Sequence, residues 1–177
     1  MDKILDYMVN KEWLKDRERI KKMQLLNLVR TNYDENNLSN KIGSILIYNQ
    51  LIEQFIKDII EISIYYIKAE IWPAEVELKV DYDNKTFGQT IKMFEQYATK
   101  ENNRDEILSK LKEFNKKRNE VAHKLFSVDD LKKLDAEMDS YRILAEKTMV
   151  LLLQYYDAVS YKLEDLASRV QFELLYD

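Results

Sequence analysis

Residues 42–72 read IGSILIYNQLIEQFIKDIIEISIYYIKAEIW, the most apolar stretch of the chain. The isoleucines do not alternate as a half-buried strand requires. Ile42, Ile45, Asn49, Ile52, Ile56, Ile59, Ile60, Ile64 and Ile67 recur mostly at steps of three and four, which gathers them on one side of a helix. Ser39 or Asn40 is placed to cap its start with a side-chain oxygen. Pro73 ends it near Ile71, because proline lacks the N–H that continues the ladder and restricts the residue before it. Glu53, Lys57, Asp58 and Glu61 interrupt the run, so it reads as a core helix and not a membrane span. A one-sided helix of this length has to bury its stripe against other elements.

Working outward, the neighbouring segments carry the same period. Asp2 to about Thr31 reads as a helix, with Ile4, Met8, Ile20, Met23 and Asn27 marking its stripe, and NYDENN at 32–37 reads as a polar loop. Beyond Pro73, Val76, Leu78, Val80 and Tyr82 alternate with charged residues. A lone strand has no partner, so this segment is expected to be extended and to pack on the bundle. Thr86 with Gln89 three residues later forms a capping box for a helix carrying Ile91, Met93, Phe94 and Tyr97 and ending near Lys100. A further helix spans about Arg104 to Phe126 on the stripe Ile107, Leu111, Phe114, Arg118, Val121 and Leu125. Ser127 with Asp130 resembles another cap. The remainder keeps helical spacing through Leu131, Leu134, Met138, Tyr141, Ala145, Thr148, Leu152, Tyr155, Val159, Leu163, Leu166 and Val170. That is long for a globular helix, so a kink or break is expected between Ala158 and Lys162. The expected fold is all-α: a single domain over 1–177, an up-and-down bundle of four to five helices.

Composition excludes most alternatives. Of 177 residues, Gly contributes 2 and Pro 1, where an average chain draws about 12% of its residues from these two. Sandwiches, propellers and open α/β sheets need the turns those residues make, and glycine-rich phosphate loops are excluded with them. With Cys at 0 and His at 1 there is no disulfide, no thiolate or paired-histidine metal site and no cysteine nucleophile. No metal and no cofactor are expected. The start, MDKILDYMVN, lacks the apolar core of a signal peptide. A cytoplasmic protein without a membrane partner is expected. The net charge of −4 argues against broad coating of nucleic acid and leaves room for a small basic site.

Such a site is legible at Lys116-Lys117-Arg118-Asn119-Glu120-Val121-Ala122-His123-Lys124. Six Lys or Arg residues lie between Lys110 and Lys124, and the sole histidine lies among them. Imidazole moves protons near neutral pH, and guanidinium grips two phosphate oxygens at once. Asn119 and His123, four apart, share a face, whereas Arg118 and His123, five apart, differ by about 140° around a straight helix. One rigid helix cannot aim both into one cleft. Arg118 then snorkels, or the helix distorts, or a two-fold dimer pools the motifs of two chains. The plainer alternatives are an Arg118 buried against a carboxylate such as Glu53, a surface His123, and lysines on a solvated face. The twelve tyrosines are expected as core and interface aromatics. Asn49, polar within the apolar stripe of residues 42–72, is expected to meet a buried polar partner.

The run Arg118-Asn119-Glu120-Val121-Ala122-His123 resembles the Arg, polar residue, spacer and His signature of HEPN domains, helical-bundle proteins of toxin–antitoxin, CRISPR-associated and anti-phage systems. The likeness extends loosely over the chain, through the long preceding helix and the Thr86-Phe87-Gly88-Gln89 helix start. It implies a metal-independent endoribonuclease whose paired motifs form one site across a homodimer. Arg118 and His123 would be catalytic, with Asn119 supporting them, and Lys116, Lys117 and Lys124 would hold RNA phosphates. A cognate antitoxin or regulatory protein is the implied partner. One subgroup carries, two residues after the histidine, a tyrosine that a nucleotidyltransferase modifies; Leu125 stands there in this chain. The alternative is a non-catalytic helical module of the same kind that mediates protein–protein interaction.

Overall fold

The computed structural model describes residues 19–71, 77, 78, 80–101, 103–125 and 131–176, with side chains omitted at 125, 131, 132, 167 and 170–176. Among these residues there are five helices and no strand: α1 (19–31), α2 (Leu38–Glu70), α3 (Phe87–Tyr97), α4 (Arg104–Leu125) and α5 (Leu131–Tyr176). The expected start of the first helix, Pro73 and Val76, and the Ser127–Asp130 cap lie outside the described residues.

The apolar stripe of α2 forms the centre of the core. Ile45, Tyr48, Ile52, Phe55, Ile56, Ile59 and Ile60 are buried, and each such side chain contributes about 1.5–3 kcal/mol by leaving water. Along α5 the facing stripe is Leu134, Met138, Tyr141, Ala145, Thr148, Leu152, Tyr155 and Val159, all of them fully buried. Two local expectations are corrected. The cap of α2 is Asn37, not Ser39 or Asn40: Asn37 holds the extended conformation before the first helical residue, and its side chain accepts from the Asn40 N–H at 3.1 Å. Asn40 is used instead to tie the loop, accepting from the Asp34 N–H and donating to the Asn32 carbonyl. Of the kink or break expected at 158–162, the break is absent, since α5 is one helix of 46 residues. Its sequence holds neither Pro nor Gly, the residues that most often interrupt a helix. Beyond Val159 no described side chain of α5 is buried, so the end of the helix runs past the core.

Cross-helix pairs fix the directions. Lys41 meets Asp139, Tyr48 meets Glu146 and Phe55 meets Tyr156, so α2 and α5 run parallel. Arg30 meets Glu146 and Arg19 meets Asp157, so α1 runs against α5. Lys117 meets Glu137, Phe114 meets Tyr141 and Glu101 meets Lys162, so α4 also runs against α5. Phe87 packs on Phe114 and Phe94 on Tyr155, which sets α3 parallel to α5 and therefore to α2. Strict up-and-down alternation thus fails at one step, between α2 and α3. The 16 residues 71–86 can reach roughly 50 Å when extended, more than the roughly 30 Å of helix between the levels of Glu70 and Asn49. Among the described residues of this connection, 77, 78 and 80–86 form neither helix nor strand. Leu78, Val80 and Tyr82 pack on the core, and the Tyr82 hydroxyl donates to the Lys57 carbonyl at 3.2 Å. Asn84 turns the chain toward α3 with φ at 56°, a left-handed conformation that Asn tolerates.

A half-buried arginine and an exposed histidine on α4

The position of Arg118 follows from where α3 begins. Ile107, Leu111, Phe114 and Val121 of the α4 stripe are buried against α3 and α5. Phe87 is the first residue of α3, fixed there by the Thr86–Gln89 capping box, in which both reciprocal hydrogen bonds are made. Toward its C-terminus α4 passes beyond this end of α3, and Ala122 is exposed. An arginine therefore fits an otherwise apolar stripe at its edge, where the residue is only partly buried. The guanidinium carbon lies 5.2 Å from the centroid of the Phe87 ring, a cation–π contact. Phe87 rests on Phe114, which rests on Tyr141. Burial pushes the Tyr141 hydroxyl well above the usual phenol range, and the nearby Arg118 charge opposes that shift. The Tyr141 hydroxyl donates to Asn49 Oδ1 at 2.7 Å, which is the polar partner expected for Asn49.

The remaining basic residues of the window are neutralised one by one. Lys110 pairs with Glu113 at 2.8 Å and Lys112 with Glu95 at 3.2 Å, while Lys116 reaches Glu120 at 4.0 Å. Lys117 and Lys124, seven apart and so on one face of α4, both bond Glu137 of α5. The hydrogen bond from Lys124 and the charge of Lys117 hold the Glu137 carboxyl below the usual glutamate range. Among the described residues only Arg118, of the six, has no carboxylate partner. Glu53 is not that partner, because it pairs with Lys57 at 2.9 Å within α2.

His123 and Asn119 are exposed on a different face of α4 from the stripe that holds Arg118. Among the described residues no hydrogen bond or ring contact joins Arg118 to either of them. The chain thus brings Asn119 and His123 to one face, as their spacing requires, and leaves Arg118 on another. Lys116 is exposed, whereas Lys117 and Lys124 are turned toward α5. Two residues that sequence reasoning did not single out shape the region. Phe87 carries a local signal, the capping box that sets it at the helix start. Glu137 carries none, since its place beside two lysines exists only once α5 folds back on α4.

A second polar cluster sits at the start of α2. Lys41 is 3% exposed and bonds Asp135 at 3.2 Å and Asp139 at 2.9 Å. Tyr33 donates to the same Asp139, and Arg142 stacks on the Tyr33 ring at 4.5 Å while pairing with Glu146 at 2.9 Å. The Tyr33 bond, then Lys41, hold Asp139 below its usual range. Burial pushes Tyr33 itself up to about 12. Among the described residues no three His, Asp or Glu side chains gather where they could hold a metal ion, and no helix is long and apolar enough to cross a membrane. Compared with known proteins, the chain matches no family model, no curated protein and no solved structure.

Proposed function

We propose that the chain is a metal-independent endoribonuclease of the HEPN type, acting as a homodimer in a toxin–antitoxin or anti-phage system and restrained by a cognate partner. The observation that carries this reading is Arg118, which has no carboxylate partner among the described residues. A partly buried cation is ordinarily neutralised by a carboxylate, and all five lysines around Arg118 are. A guanidinium that no described carboxylate answers is available to an incoming anion, and its flat fork suits a phosphate. His123, exposed with Asn119 on another face, is accessible to the same strand only if a second chain completes the site.

The chemistry needs no group beyond these side chains. The ribose 2′-oxygen attacks the adjacent phosphorus and loses its proton to a base. The bond from phosphorus to the 5′-oxygen breaks, and that oxygen takes a proton, leaving a 2′,3′-cyclic phosphate and a 5′-hydroxyl end. His123 serves as general base or acid, and Asn119 orients its ring. Arg118 stabilises the extra negative charge on the pentacoordinate phosphorus. DNA, without the 2′-hydroxyl, is not a substrate. The test is cleavage of RNA in the presence of a chelator by the wild type, His123→Ala and Arg118→Ala, with the mass in solution measured alongside. Cleavage by a dimer that both substitutions abolish is expected. Cleavage that persists in both variants, or a wild type inert toward every RNA offered, removes the activity.

A second reading has one observation in its favour. The pairing of all five lysines with acids leaves little free positive charge on α4, which suits a non-catalytic helical module that docks on a protein. That reading gains if the wild type binds no RNA.

A further inference from the structure

Glu137 sits where a ligand of α4 would sit. Lys117 Nζ reaches its Oε2 at 3.4 Å, and Lys124 Nζ bonds the other oxygen, Oε1. One carboxylate thus bridges two ammonium groups with its two oxygens, the arrangement in which a phosphodiester would present its two non-bridging oxygens. All three side chains remain partly exposed, between 24% and 29%, so the bridge is open to exchange with solvent anions.

The bridge is not what docks α4. Ile107, Leu111, Phe114 and Val121 bury that helix against its neighbours, and partly exposed ion pairs add little to a packed interface. Its consequence is electrostatic. The two lysines lie one on each side of Arg118 in sequence, and Glu137 cancels much of the charge they would offer a polyanion. We infer that Glu137 occupies the seat of an RNA phosphate between Lys117 and Lys124, and that RNA must displace it in order to bind. The inference rests on the proposal that this face of α4 meets RNA. It adds a built-in competitor: the acid on α5 weakens binding everywhere along a strand and selects against short or weakly held RNA.

The experiment uses the full chain and a 2′-O-methyl oligoribonucleotide, which binds but has no free 2′-hydroxyl to attack. Affinity is measured across a range of salt for the wild type, Glu137→Gln, and Glu137→Gln combined with Lys117→Met and Lys124→Met. Removing the carboxylate between the two lysines should add up to two phosphate contacts, so the slope of log affinity against log salt should steepen by up to about 1.4 and binding near 0.1 M salt should tighten by up to about tenfold. The triple variant should lose that gain. An affinity for Glu137→Gln equal to or below that of the wild type overturns the inference, as does a gain that survives removal of both lysines or an absence of RNA binding in all three proteins. Inorganic phosphate is titrated in parallel, and an equal gain for it assigns the seat to a free anion and overturns the RNA assignment. Should Glu137→Gln fail to fold, the side-chain ammonium signals of Lys117 and Lys124 in the wild type decide the matter. They must shift on adding the oligonucleotide, and RNA binding that leaves them unmoved overturns the displacement. Cleavage is scored separately. Tighter binding by Glu137→Gln with no cleavage by any protein removes the nuclease reading and leaves the competitor standing, whereas cleavage with unchanged binding does the reverse.

Discussion

Lys41 and Arg118 each place a cation in an apolar helical stripe, and the bundle treats them in opposite ways. Lys41 lies four residues before Ile45 on the buried face of α2 and is 3% exposed. Two aspartates of α5 meet it, and Tyr33 ties one of them to the loop after α1. Its charge is spent inside the protein. Arg118 lies at the edge of the core, where α3 has just begun, with a phenyl ring beneath it and no acid among the described residues. A ring attracts a cation without neutralising it. The difference teaches that burial of a basic residue does not by itself mark a site. What marks one is a charge held in place and left unanswered.

The largest contrast comes from removing each cation. Arg118→Met should cost at least about a hundredfold in RNA cleavage, as loss of an oxyanion-stabilising group does, while leaving stability within about 0.5 kcal/mol of the wild type. Lys41→Met should do the reverse, lowering the melting temperature and leaving Arg118 and His123 in place, because it leaves Asp135 and Asp139 facing one another without their shared cation. If both variants lose stability and keep activity, the two cations are structural alike and the comparison collapses.

The platform under Arg118 is the next place to press. Thr86→Ala removes the side-chain half of the capping box, with an expected loss of about 1 kcal/mol in denaturant unfolding. The same change frees Phe87 to move, so cleavage should fall more than folding does at low denaturant. Tyr141→Phe deletes the hydroxyl that satisfies Asn49, for an expected loss of about 1 kcal/mol, with Arg118 and its ring contact left in place. An unchanged melting curve for Tyr141→Phe would show that water replaces the bond.

The smallest effect is one of pH. Asp139 is held below its usual range in the folded protein by its bonds to Tyr33 and Lys41. A carboxyl whose folded pKa is depressed adds stability above its unfolded pKa, near 4 for a model aspartate at about 3.9, and that stability is lost as pH falls through the lower folded value. Melting temperatures of the wild type and Asp139→Asn should therefore differ most at neutral pH and converge on acidification below pH about 4. A gap that stays constant from neutral to acid pH would show that Asp139 contributes through packing or its neutral hydrogen bonds alone.

Much of this molecule is legible in the order of its residues. The stripes of α2, α4 and α5, the capping box of α3 and the packing of Leu78, Val80 and Tyr82 on the core follow from periods and side-chain chemistry that act over a few residues. The partner of Asn49 was expected in kind but not in name, because Tyr141 is remote in sequence and adjacent only after α5 has packed on α2. The capping residue was misplaced by two or three positions in NYDENNLSN, where several side chains can each accept the orphan N–H groups and only the backbone conformation chooses Asn37. The break anticipated in α5 was an inference from length alone, and length does not end a helix that contains no residue to stop it.

By itself the sequence determined an all-helical chain, with its apolar faces and the spacing that sets Asn119 and His123 together and Arg118 apart. Those features depend on 3.6 residues per turn and on the scarcity of Gly and Pro, both local properties. Tertiary structure alone decided that α3 lies parallel to α2, that Phe87 thereby arrives beneath Arg118, and that Glu137 takes two of the lysines while no acid among the described residues takes the arginine. Which charge finds a partner depends on groups brought together from distant helices, and attraction between charges falls off with distance in space and is indifferent to distance along the chain.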